Sequence, residues 1–400
     1  MDALDEVNLT KFWHFSNEKF RLEFWAQRVR DQRKKPQIPS KTIFLGVVLM
    51  GALGVASFLG LDGILRRSSA KKLLRSNRKM VASDSEIARV VKQMDIETKR
   101  EVLRTMCCSV RAQGWGKVEL PRAGRVRIGI IDGSTFGKFF FSVFQCLGAV
   151  AVPLDLEPYK KRGEELPASF RLLKRVATQH GKRFVDYIGG DGLYMTHEFF
   201  RICREELGCH GFIKTDEETL TLRQDVDGLF DSKPLLPGIE YVEGTDVNRY
   251  LSYRIWAAAG FEWDGTPYPL KVARIEKTFL KGKEAGKTVR FYVITTDERL
   301  TALDLWELSH LRWGIENNGF KGLNGQCHSK HRFFRKDASA MMRLILILFV
   351  SYILVQAFLI WVKLHAKEWN LGNLPRELFL PWLRQILWES LGLIGNPWPP

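Results

Sequence analysis

The run RVRIGIID at residues 125–132 is where the chain changes from helical to strand character. Upstream the apolar residues recur at helical spacing. Here they crowd into a short β-rich segment that ends in Asp132. FSVFQCLGAV (141–150) and AVPLDLEPY (151–159) read as the next two strands. A helix is expected over roughly 165–180, closed by Gly181. RFVDYIGGD (183–191) is a fourth strand, ending at Asp191. MTHEFFRICREEL (195–207) is helical, and CHGFIKT (209–215) is a fifth strand. The order is β-β-β-α-β-α-β, an α/β arrangement around a mixed sheet flanked by helices.

Residues 216–290 break this order. Acidic turns at Asp225, Asp227 and Asp231 precede alternating runs such as YLSYRIWAAAGFEW and YPLKVARIEKTFL, with turns at GTP and KGKEAGKT. This predicts a β-rich insertion. FYVITTD (291–297) returns to strand character, and one helix is expected from about 302 to 324. Residues 1–120 read as an all-α domain. In it Ser83-Asp84-Ser85 forms an N-cap before EIARVVKQMD, whose Ile87, Val90, Val91 and Met94 make an apolar stripe. The expected division is a helical domain at 1–120, a catalytic domain in two parts at 121–215 and 291–365, the insertion at 216–290, and a tail at 366–400.

Lys and Arg number 61 against 45 Asp and Glu, a formal charge of +16. Charge of that size argues for an anionic partner, nucleic acid or a membrane surface. With the basic stretch GILRRSSAKKLLRSNRK (63–79), it makes residues 1–120 a candidate DNA-binding domain or a basic solvated cap. The six cysteines show no framework spacing, which suits a reducing cytoplasm. Cys203, Cys209 and His210 lack the paired spacing of a zinc site. Two apolar runs, 43–61 and 344–362, are each about long enough to span a bilayer. Core helices are the expectation for both. A membrane-associated protein without catalysis is the rival reading, and 1–120 is expected to be separable from the catalytic fold.

Chemistry enters through the acids. Phosphodiester reactions are well served by two divalent cations, and hard cations take carboxylate oxygens. Such ligands belong at the ends of buried strands and on an adjoining helix. Asp132 precedes Gly133-Ser134, and Asp191 lies between Gly190 and Gly192. An aspartate at a strand end is also a common turn former or helix cap. Arg312 and Glu316, four residues apart, share a helix face with Ser309. That pattern also fits a plain intrahelical ion pair, although Trp306, Trp313, Asn317, Asn318 and Lys321 crowd the same segment.

Four stretches resemble the bacterial insertion-sequence transposases of the DDE type, in the group with a β insertion between the second Asp and the Glu. They are IGIIDGSTF, YIGGDGLYMTHEFFRICREELGCHGFIK, FYVITTD with LWELSHLRWGIENNGF, and SDSEIARVVKQMD. The likeness runs from about residue 40 to 360. It implies a ribonuclease-H-like catalytic domain with Asp132, Asp191 and Glu316 as catalytic metal ligands. Mg²⁺ is the implied cofactor, with Mn²⁺ as a substitute. Of the family signature Tyr-x2-Arg-x3-Glu-x6-Lys, Arg312 and Glu316 match, while Ser309 and Leu323 stand at the Tyr and Lys positions. His310, Lys321, His328 and Lys330 are candidates for the missing phosphate contacts.

The resemblance further implies a cytoplasmic, nucleoid-associated endonuclease and strand-transfer enzyme. Its partners would be double-stranded DNA, both terminal inverted repeats and target, with a homodimer in the synaptic complex and no membrane. Arg312 and Lys321 would contact DNA. Trp313 would stack on a displaced base or, the commoner fate of a tryptophan, fill core. A catalytically inactive relative that only binds DNA is the other alternative.

Overall fold

The computed structural model describes residues 8–34, 36–75, 82–161, 163–216, 221–232, 236–264, 266–314, 320–365 and 376–392; the side chains of 313–314 and 376–379 are not described. Helices come first: α1 (Leu9–Phe20), α2 (Leu22–Ala26), α3 (Ser40–Leu53), α4 (Phe58–Leu65), α5 (Ser68–Leu73), α6 (Asp84–Gln93) and α7 (Ile96–Ala112). α6 begins where its cap predicts, with Ser83 Oγ accepting from Glu86 N at 3.3 Å. Its stripe of Ile87, Val90, Val91 and Met94 is wholly buried.

A two-stranded hairpin, β1 (Val118–Leu120) and β2 (Gly124–Val126), leads into the main sheet. Its strands are β3 (Ile128–Phe136), β4 (Phe139–Cys146), β5 (Val152–Tyr159), β6 (Tyr187–Asp191), β7 (His210–Thr215), β8 (Glu240–Asp246), β9 (Leu251–Trp263), β10 (Thr266–Phe279) and β11 (Thr288–Thr295). The nine strands lie in the order β5-β4-β3-β6-β7-β11-β10-β9-β8. Only the β3–β6 and β6–β7 pairs are parallel. α8 (Glu165–His180) leads into β6, and α9 (His197–Arg201) widens into a π-type turn at Ile202–Leu207 before β7. α10 (Thr221–Phe230) opens the region expected to be β-rich, and β8–β10 then extend the same sheet instead of forming a layer of their own.

Helices cover both faces. α11 (Ala302–Gly314) packs Leu305, Trp306 and Leu308 against Ile128, Ile130, Tyr187 and Phe212, the front face. The back face carries Ile131, Ile188 and Ile213 into a larger core. That core runs on without interruption through α13 (Ala338–Leu364) to the N-terminal helices. α12 (Lys321–Cys327) precedes α13, so the single helix expected over 302–324 is described as two, and residues 315–319 between them lie outside the described residues.

Three other expectations change. Asp132 does not end its strand: β3 continues to Phe136 because β4 pairs with it all the way to Phe136↔Phe139. The expected tail holds α14 (Arg376–Ser390), whose Leu383, Ile386 and Leu387 are buried at helical spacing and whose Trp388 Nε1 donates to Leu53 O at 2.9 Å. The N-terminal helices share one core with the rest of the chain, and α3 packs on α13. A Cβ on Gly51 would sit 2.6 Å from Ser351 Oγ, and that hydroxyl donates to Val48 O at 2.8 Å. Deleting residues 1–120 would strip α13 of its partner. By length and composition α13 is the one described helix able to cross a membrane, yet 78% of its apolar window is buried inside the protein. The other apolar run bends by 109° between α3 and α4.

Candidate active site

Parallel pairing between β3 and β6 runs through Ile128↔Tyr187, Gly129↔Ile188 and Ile130↔Gly189. Two residues beyond the last pair, each strand carries an aspartate, Asp132 on β3 and Asp191 on β6. Side chains alternate along a strand. Asp132 therefore follows Ile128 and Ile130 onto the front face, and Asp191 follows Tyr187 there. The glycines between are required by packing: a Cβ on Gly189 would lie 2.2 Å from the Phe212 ring, and one on Gly190 2.8 Å from Tyr194.

Each carboxylate makes a local turn contact as well. Asp132 Oδ1 accepts from Gly133 N at 2.8 Å, and Asp191 Oδ1 accepts from Leu193 N at 3.0 Å, capping the short 3₁₀ turn Gly192–Tyr194. In both residues the turn contact is made by Oδ1. Asp191 Oδ2 takes no bond from a described residue.

Two cations share this face. Arg312, in the last turn of α11 and 8% exposed, places Nη1 3.9 Å from Asp132 Oδ2. Lys214 on β7 stands in register with Asp191 and reaches up to α11, where Nζ donates to Ser309 O at 3.4 Å; it also lies 4.2 Å from the Phe291 ring centroid. Sequence reasoning does not single out Lys214. In GFIKT it is one lysine near a strand end, and only the β6–β7 register puts it beside Asp191.

The back face beneath the pair is tied by hydroxyls. Glu165, in the first turn of α8, accepts from Tyr159 OH at 2.9 Å and from Tyr194 OH at 3.1 Å. Tyr194 OH also meets Ser169 Oγ at 2.9 Å, and Ser169 meets Ser142 at 2.7 Å. The Glu165 carboxylate occupies the room left by Gly133, where a Cβ would sit 2.4 Å from Oε2. Burial, then the charge on Glu165, Asp132 and Asp191, holds the Tyr194 hydroxyl well above its ordinary pKa. Glu165 therefore links the segment after Asp132 to the segment after Asp191.

The other expected residues separate. Glu316, Asn317 and Asn318 lie outside the described residues, as does the side chain of Trp313. Ser309 is fully buried with its hydroxyl on Trp306 O at 2.7 Å, and Leu323 is 2% exposed in the core. Neither position reaches a solvent phosphate. His310 packs on Trp306, and burial lowers its pKa to about 4, so it is not a cation at neutral pH. His328 is spent on the Gly54 carbonyl at 2.8 Å. Lys321 and Lys330 are exposed. All six cysteines are unbridged thiols, and no three His, Cys, Asp or Glu side chains cluster as a metal cage among the described residues. No protein-family model matches this chain, and no curated protein matches it.

Proposed function

We propose that this chain is a DDE-type transposase of the insertion-sequence kind, a Mg²⁺-dependent enzyme that cuts DNA at transposon ends and joins the freed ends to target DNA. The observation that carries the reading is the pairing of Asp132 and Asp191 where two parallel strands part, on the face shared by Arg312 and Lys214. The order β5-β4-β3-β6-β7 supports a ribonuclease-H-like domain: an antiparallel meander edged by two parallel strands, each preceded by a helix. β8–β10 fall between the second aspartate and the Glu316 segment, where the resemblance puts a β insertion.

The donor set suits the cofactor. Both aspartates offer oxygen, which a hard cation prefers, and the third carboxylate would come from Glu316. Bound there, Mg²⁺ would supply Lewis-acid activation of the attacking hydroxyl and would neutralise charge gathering on the phosphate. The protein's own part is electrostatic and positional. Arg312, held in the wall of the site, is placed to take a non-bridging phosphate oxygen near the cleaved bond. Lys214 would hold a second oxygen from the β7 side. The Glu165–Tyr194 link fixes the spacing of the two aspartates from behind.

Burial of Ser309 and Leu323 favours, as a second reading, a relative that binds transposon ends without cutting them. One experiment separates the two. A labelled duplex built from the inverted repeats flanking the gene is incubated with Mg²⁺ or Mn²⁺, and binding is followed alongside by gel shift. The parent should cut. Asp132→Asn, Asp191→Asn and Glu316→Gln should each lose cleavage by orders of magnitude and keep binding. Asp225→Asn, on the exposed side of α10, should cut like the parent. A parent that binds but never cuts supports the second reading, and cleavage by all three variants overturns the first.

A further inference from the structure

Residues 328–337, HSKHRFFRKD, join α12 to α13. We propose that this loop is a preformed platform for the phosphate backbone of duplex DNA beside the candidate active site; the choice of DNA as occupant rests on the function proposed above. Lys330, Arg332, Arg335 and Lys336 are all exposed, and none makes an ion pair with a described residue. The nearest acid in sequence, Asp337, is already taken by Lys92 at 2.8 Å and by the Ala340 amide at 2.9 Å. Several arginines elsewhere are held by acids, among them Arg33 by Asp31, Arg175 by Asp155, Arg274 by Asp231 and Arg299 by Asp297. Four like charges in seven residues repel one another, and a polyanion relieves that repulsion.

The backbone that carries these charges is pinned. Phe333 and Phe334 turn inward onto Phe58 of α4, at 5.1 and 5.7 Å between ring centroids. His328 Nε2 bonds Gly54 O, and Lys330 N donates to Asn324 Oδ1 at 3.1 Å. His331 N donates to His328 O at 2.8 Å, and Phe333 N to His331 O at 3.0 Å. Only the cationic ends of the side chains remain to be ordered by a ligand, which lowers the entropic cost of binding.

The loop lies against the strand that carries Asp132. Gly137, at the tip of the β3–β4 hairpin, donates its N–H to Ser329 O at 3.3 Å, and a Cβ there would lie 3.4 Å from His331 O. Its φ of 59° is a conformation that suits glycine. Asp132 is five residues back along β3, roughly 16 Å at the rise of an extended strand. One strand of a duplex advances about 3.4 Å per phosphate. A duplex cut at Asp132 with its axis along β3 would lay its backbone on the loop about five phosphates from the cleaved bond. The inward phenylalanines favour a duplex over other anions. Phe334 is buried and Phe333 half-buried against Phe58, so neither stands out as an apolar wedge for a bilayer.

The test uses the full chain without divalent metal and a fluorescent duplex of random sequence, titrated by anisotropy across a salt series. The fourfold variant Lys330→Gln, Arg332→Gln, Arg335→Gln and Lys336→Gln should bind more weakly. Its plot of log affinity against log salt should be shallower by about 0.9 for each phosphate that the loop no longer neutralises. Its melting temperature should match the parent's, because the anchors Ser329, Phe333 and Phe334 are untouched. Lys330→Arg with Lys336→Arg should keep the parental slope. An unchanged slope in the fourfold variant overturns the platform while leaving the transposase reading intact. If the slope drops but the carboxylate variants still cut, the platform stands and the transposase reading falls. Loop-dependent binding of phosphatidylserine vesicles in preference to the duplex overturns the choice of DNA.

Discussion

Arg312 and Asp132 face each other across the gap between α11 and the central strand, with Nη1 3.9 Å from Oδ2, a charge contact too long to be a hydrogen bond. At that separation the guanidinium sets the field at the Asp132 carboxylate. Arg312→Gln should cut cleavage of a transposon-end duplex by roughly 10²–10³-fold, the scale on which removing one aimed donor acts. Duplex affinity should fall far less, since many other cations still hold the backbone. Single-turnover cleavage beside a gel shift reads both, and parental cleavage by the variant would remove Arg312 from the reaction.

Lys214 offers a sharper case because only the sheet register links it to Asp191. A hydrogen bond to a charged group contributes about 1.5–3 kcal/mol, so Lys214→Met should slow cleavage by roughly 10- to 100-fold. Lys214→Arg should recover part of it. Equal rates for Lys214→Met and the parent would assign the lysine to packing on Phe291 alone.

Tyr194→Phe removes one fully buried hydroxyl from a chain that joins the half-buried Glu165 to the buried Ser169. Leaving such groups with fewer partners costs about 1–3 kcal/mol. Urea unfolding should show a lower midpoint with an unchanged slope, and cleavage should fall as the two aspartate segments lose their common tie. A neutral effect on stability would mean that the chain rearranges without cost.

Acid should destabilise the fold through its buried histidines. Burial holds His310 and His180 near pKa 4, below the ordinary 6.5. A group whose protonation is disfavoured in the native state supports the fold fully above its unfolded pKa. That support is lost as pH falls from 6.5 toward 4, up to about 3 kcal/mol for each histidine. Melting temperature should drop through this window, and below it the lowered carboxylates such as Asp297 and Glu198 carry the loss further. His310→Phe, which keeps the ring on Trp306, should flatten its share of the slope; an unchanged slope would show that His310 titrates normally.

Much of the fold is legible in local pattern. The Ser83 cap, the Gly181 stop of α8 and the strand-helix alternation from 125 to 215 follow from residue spacing and turn chemistry, which act over a few residues. Local pattern reads the strand containing Asp132 too short, because its last four residues are held by pairing with β4 rather than by their own propensity. α14 escapes a sequence reading for a similar reason: its apolar side chains gain their meaning only from α1, α3 and α13, which pack around it.

The strand and helix order from 125 to 215, the basic charge and the two aspartates are written in the local chain, because backbone propensity and side-chain charge act over a few residues. The tertiary structure alone decided that Asp132 and Asp191 share a level and a face, that Lys214 joins them, and that Glu165 braces them from behind. It alone made an apolar run of membrane length into a core helix. Register and burial are set by residues distant in sequence. Hydrogen-bond pairing between β3, β6 and β7 places their side chains, and the surface of α13 is removed from water by α3, α6, α7 and β5.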